Sequence, residues 1–182
     1  MMRIVKTLIA ALALAAAALA PAAAQPVRIV AIGASNTSGW GVGEQAAYPA
    51  RLEALLKARG INAQVVNAGV PFETTNGMLG RIDSAVPNGT RLVIIQPGGN
   101  DLRFLGSKER RTANINAMVG KLRARGIRAI VFDPVFPPEY YSWDRIHLNA
   151  DAHSRIAQTL APQVAAAIGG PRTAGDARQR TR

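Results

Sequence analysis

Three short stretches of the chain hold side chains able to share one reaction. Ser35 stands in "GASN", where the apolar run of residues 29–32 gives way to glycines and small polar residues. Asn100 follows a glycine pair in "QPGGND", directly after the apolar run of residues 92–95. Asp144 and His147 stand three residues apart in "WDRIHLNADAH". A turn of that length brings both side chains to one side, so a carboxylate holds the imidazole Nδ1–H and leaves Nε2 free to take a proton. A hydroxyl beside such an imidazole is an activated nucleophile, and an amide donor at a strand's carboxyl end can meet a developing oxyanion. Gly69, in "VVNAGV", offers a backbone N–H at the equivalent height. Each also has a plainer reading when taken singly: Ser35 as a cap or turn residue, Asn100 as an Asn/Asp turn, His147 as a packing residue. The second histidine, His153, falls within a helical stretch and reads as a surface or packing residue.

Other chemistries fit less well. The glycines after the first strand form neither GxxxxGK[ST] nor GxGxxG, and no acidic residue ends the second strand to hold a ribose. Thr37 two positions after Ser35 breaks the GxSxG elbow. The chain has no cysteine, which excludes disulfides, thiolate metal sites and a cysteine nucleophile together.

The elements that must position these residues follow from periodicity. Short β-branched runs at residues 27–32, 64–67, 92–96 and 129–132 alternate with amphipathic stretches, the pattern of βαβ units on a parallel sheet. Tyr48, Leu52, Leu55 and Leu56 line one helical face, and Ile115, Met118, Val119 and Leu122 another, with Gly60 and Gly126 as C-terminal stops. A last helix follows Asn149, an N-cap, and carries Ile156, Leu160, Val164 and Ile168, with a kink expected at Pro162. In such a doubly wound α/β domain, ligands bind at the carboxyl ends of the strands, where all four loops above emerge.

Residues 1–24 read as an export signal: Arg3 and Lys6, then an alanine-rich apolar run, then Ala22-Ala23-Ala24 before Gln25. The domain spans residues 25–170, and "PRTAGDARQRTR" makes 171–182 a basic disordered tail. The expected location is periplasmic or secreted, without stable membrane insertion after cleavage. The formal charge of +11 invites a nucleic-acid reading, but arginines concentrate in the tail and on helix faces, and aromatic residues are too few for stacking platforms. No nucleic-acid partner is expected.

"GASN" around Ser35, Gly69, "GGND" around Asn100 and "DRIH" ending in His147 together resemble the four blocks of the SGNH hydrolases, the GDSL-type lipase/esterase superfamily, in that family's order. The resemblance runs from Val27 to Ile168 and is nearest to small secreted bacterial arylesterase, thioesterase and lysophospholipase members. It implies a flavodoxin-like three-layer α/β/α sandwich and ester hydrolysis without metal or other cofactor. Carried over, the catalytic residues are Ser35, Asp144 and His147, and the oxyanion donors are the N–H groups of Ser35 and Gly69 with the Asn100 amide. The implied activity is hydrolysis of aryl or short-acyl carboxylic esters through an acyl-enzyme. A carbohydrate O-acetyl esterase or a catalytically silent binding module on the same scaffold are the alternatives. Two departures stand out. Ala34 replaces the family's usual Asp before the nucleophile, and residues 133–143 are too few for a helix and fifth strand, so a sheet of four to five strands is expected. "PFETTNGML" after Gly69 and the aromatic group Tyr140, Tyr141 and Trp143 either line an acyl pocket or pack beneath the last loop.

Overall fold

The computed structural model describes residues 25–105 and 107–169; the expected export signal and basic tail lie outside the described residues. Four parallel strands, β1 (Val27–Gly33), β2 (Ala63–Gly69), β3 (Thr90–Gln96) and β4 (Arg128–Val131), form one sheet in the order β2-β1-β3-β4. The two central strands are covered on both faces, which is why they read as unbroken apolar runs. Alternate residues feed two cores. Ile29, Ala31, Leu92 and Ile94 pack on α2 (Tyr48–Ala58) and α5 (Ala150–Gly169). Val30, Ile32, Val93 and Ile95 pack on α3 (Thr75–Ala85) and α4 (Lys108–Ala124). One further helical turn, α1 (Ser35–Ser38), follows β1 directly. The result is a three-layer sandwich.

Local signals explain most helix ends. Gly60 and Gly126 take φ of 73° and 69° after α2 and α4, the left-handed stop that glycine adopts without penalty. Asn149 Oδ1 accepts the N–H groups of Asp151 and Ala152, both at 3.1 Å, and so starts α5. That helix runs through Pro162 to Gly169. Helix α3 is not legible in the sequence, where its first half reads as a loop that either lines a pocket or packs beneath the last loop. Instead Thr75, Met78 and Ile82 turn into the core. Its cap comes from another loop: Asp101 accepts the Thr75 N–H at 2.9 Å and the Thr75 hydroxyl at 2.6 Å. Residues 133–143 add no strand, only a short 3-10 turn (Pro138–Tyr140) and one antiparallel bridge between Tyr141 and Leu148.

The outer edge of β2 is closed locally. Backbone N–H groups that point away from β1 meet Ile61 O from Ala63 at 2.9 Å, Glu53 Oε2 from Val65 at 2.7 Å, and Asn67 Oδ1 from Gly69 at 3.0 Å. Among the described residues no helix is long and apolar enough to cross a membrane.

His153 is a packing residue, fully buried between α2 and α5. Its Nδ1 accepts the Tyr48 N–H at 3.2 Å, its ring stacks on Tyr48 at 6.5 Å, and its Nε2 has no partner among the described residues. Burial, with help from the Arg51 charge, pulls its pKa from 6.5 down to about 4. The folded state therefore binds this proton more weakly than the unfolded chain. Stability is complete above pH 6.5 and falls as pH drops toward 4, by about 3 kcal/mol. Urea unfolding across that interval should show the decline, and His153→Gln, which keeps an acceptor without the titration, should flatten it.

Candidate active site

Strands β1 and β3 are neighbours whose following helices leave toward opposite faces, which opens a crevice at their carboxyl ends. Ser35 sits at that crevice because β1 ends at Gly33 and α1 begins at once. The turn closes on Ala34, whose carbonyl accepts the N–H groups of Thr37 and Ser38, each at 3.0 Å. With no polar side chain at position 34, support comes from beyond the serine: Thr37 Oγ1 donates to the buried Gln96 Oε1 at 2.7 Å, at the end of β3. Gly33 makes room for this bond, since a Cβ there would stand 2.0 Å from Thr37 Oγ1 and 2.8 Å from Gln96 O.

The loop from Ser142 to Leu148 is organised by its own carboxylate. Asp144 Oδ1 accepts the N–H groups of Ile146 at 2.9 Å and His147 at 3.0 Å, while Oδ2 lies 2.5 Å from His147 Nδ1. The His147 N–H, the imidazole and the Ile146 N–H, with the first the largest, hold Asp144 from 3.8 down to about 2. An ionised carboxylate only accepts, so Nδ1 carries the proton and Nε2 presents its lone pair. Arg145 adopts φ of 55° inside this turn.

A bond between the two loops brings the parts together: Asn36 Oδ1 accepts the Leu148 N–H at 3.0 Å, joining the residue after Ser35 to the residue after His147. Ser35, Asn36, Asn100, Ile146 and Leu148 line one cleft of about 380 Å³. Asn100 reaches it from the β3 loop, where its Nδ2 donates to Glu73 O at 2.9 Å and ties that loop to the one after β2. Glu73 is itself gripped by both ends of the Arg81 guanidinium, at 2.7 and 2.6 Å. Arg111 completes the frame by donating to Gly98 O and, at 2.5 Å, to Asp133 Oδ2.

At Gly69 the backbone N–H already has an acceptor. Its N–H is committed to Asn67 Oδ1, because Val70 N–H already points to Gly33 O and successive N–H groups of a strand face opposite ways. What the position requires is the absence of a side chain. A Cβ on Gly69 would lie 2.2 Å from Ser38 N and 2.6 Å from Thr37 C, inside the α1 backbone. The aromatic group divides. Tyr141 lines the cleft, Tyr140 packs on the core under Arg155, and Trp143 is exposed. Beside the imidazole stands a ring the spacing arguments passed over: Trp40, 6.0 Å from His147 and edge-on to Phe72 at 5.2 Å. Asn36 and Arg111 were missed as well, the first readable only as the neighbour of Ser35.

The sequence profile of the GDSL-like Lipase/Acylhydrolase family matches residues 31–180. Over 114 residues the chain is 29% identical to Esterase TesA of Pseudomonas aeruginosa, covering 62% of this chain and 56% of that esterase, little more than half its length. A crystal structure of TesA superposes with a TM-score of 0.71 at 20% identity, over 77% of this chain and 99% of that one. AlinE4, an SGNH-hydrolase family esterase, gives 0.59 at 29% identity, over 80% and 74%. A family 3 carbohydrate esterase of Clostridium thermocellum gives 0.61 at 18% identity, over 80% and 100%. The first and third of these structures, at such low identity, speak to the fold alone.

Gly69→Ala should push the end of β2 off α1. Overpacking against rigid backbone predicts a loss of roughly 2 to 4 kcal/mol in urea unfolding, whereas Gly80→Ala, with open space around it, should cost nothing comparable.

Proposed function

The chain belongs to the GDSL-like lipase/acylhydrolase family, and from that premise we propose that it is a serine esterase cleaving aryl or short-acyl carboxylic esters. Ser35 is the nucleophile, His147 the general base and acid, and Asp144 the group that orients the imidazole. The observation that carries this reading is the Asn36–Leu148 bond, which sets the serine turn against the histidine loop.

His147 Nε2 takes the Ser35 hydroxyl proton as Oγ attacks the ester carbonyl carbon. Asp144, already ionised, stabilises the imidazolium without taking its proton. The carbonyl oxygen becomes an oxyanion and accepts hydrogen bonds from the Ser35 N–H, at the open start of α1, and from Asn100. An amide nitrogen carries two hydrogens, so Asn100 can hold Glu73 O with one and meet the oxyanion with the other. Collapse breaks the ester C–O bond, and His147 returns the proton to the leaving alcohol. Water then attacks the acyl-Ser35 ester by the same route, releasing the acid and the free hydroxyl. The family relationship and the neighbouring esterases support this reading.

Hydrolysis of p-nitrophenyl butyrate and labelling by a fluorophosphonate probe test it. Ser35→Ala should abolish both, and His147→Ala should abolish turnover; undiminished activity in either variant ends the assignment. Asn100→Ala should lower kcat by about 10² to 10³. The rate should fall in acid, because an imidazole that already carries its second proton cannot receive that of the hydroxyl.

A further inference from the structure

The cleft that holds Ser35 is lined by more cationic than anionic side chains. Arg103, Arg111 and Arg145 all line it, against Asp133 as the one acidic lining residue. They come from three different places: the Asp101–Leu105 turn after β3, helix α4, and the catalytic turn itself, between Asp144 and His147. Arg111 and Asp133 neutralise each other at 2.5 Å, half-buried, and serve to frame the β3 and β4 loops. Arg103 and Arg145 have no such partner: both are exposed, and among the described residues neither forms an ion pair. The nearest carboxylates in sequence are already engaged, Asp101 by Thr75 and Asp144 by His147. Arg145 moreover keeps φ of 55° in a turn fixed by its own N–H to Ser142 O at 2.9 Å and by Asp144. Two guanidinium groups without an ion-pair partner therefore line the cleft that also holds Ser35.

Resting on the esterase reading of the same site, we propose that the preferred substrate is an anionic ester, bearing a carboxylate or phosphate a few bonds from the scissile carbonyl. Arg103 and Arg145 receive that group, since a guanidinium fork matches both oxyanions. A cleft of about 380 Å³ is of a size for a small ester carrying such a group.

Two matched pairs test the proposal and separate the sources of charge. p-Nitrophenyl butyrate against p-nitrophenyl hemisuccinate places a carboxylate on the acyl part. 1-Butyrylglycerol against 1-butyrylglycerol 3-phosphate places a phosphate on the alcohol part. Wild type should favour the charged member of at least one pair by about tenfold in kcat/KM, mainly through KM, because two exposed guanidinium contacts supply roughly that. High salt should erode the preference, as it does for exposed charges. The double variant Arg103→Gln/Arg145→Gln should bring the ratio near one, and Arg103→Lys/Arg145→Lys should retain part of it. The ratio is internal to each protein, so a folding defect that lowers both rates leaves it readable. A wild-type preference for the neutral members, or a charged preference that survives the double Gln variant, overturns the proposal. If no ester is cleaved and Ser35 resists the fluorophosphonate, the esterase reading itself has failed instead.

Discussion

One amide joins the two halves of the site. Asn36 Oδ1 and the Leu148 N–H lie 112 positions apart in sequence and 3.0 Å apart in space. A hydrogen bond of this kind contributes only about 1 kcal/mol to stability. For the proposed acyl transfer its importance is positional, because that chemistry tolerates little error between hydroxyl and imidazole. The bond ties the residue after Ser35 to the residue after His147. The neighbouring hydrogen bonds, from Thr37 to Gln96 and within the Asp144 turn, hold each loop in shape.

The stiffening relies on groups that leave the reacting atoms free. Thr37, Gln96 and Gly33 brace the serine turn from behind, so Ser35 needs no support from its own side chain. Asp144 spends one oxygen on the backbone of its own turn and the other on the imidazole. The same hydrogen bonds that shape the turn also keep the carboxylate ionised, and that fixes which imidazole nitrogen is bare. Geometry and protonation state are thus set by one small network.

The central strands and the Asp144–His147 pairing were legible because their signals are local. Residues 29–32 and 92–95 are apolar without interruption, as strands covered on both faces must be, and Asp144 and His147 lie within a single turn. Helix α3 was hidden because its first turn is Thr75-Asn76-Gly77 and its cap, Asp101, arrives from a different loop. At Gly69 the glycine was legible but the partner of its N–H was not. Its N–H direction depends on the register Gly33↔Gly69 and on Asn67, neither of which a single sequence displays. The arginines of the cleft were illegible for a similar reason, since they come to line it only once three separate segments have folded.

The closed edge of β2 bears on how the molecule behaves in a crowd. Its outward N–H groups at Ala63, Val65 and Gly69 already have acceptors from the same chain, one of them the Glu53 carboxylate. At the other margin, β4 is only four residues long and begins with an arginine. Among the described residues neither border offers a long run of vacant backbone groups on which a foreign strand can template itself, so the sheet is protected against edge-to-edge aggregation while its carboxyl end stays open to solvent.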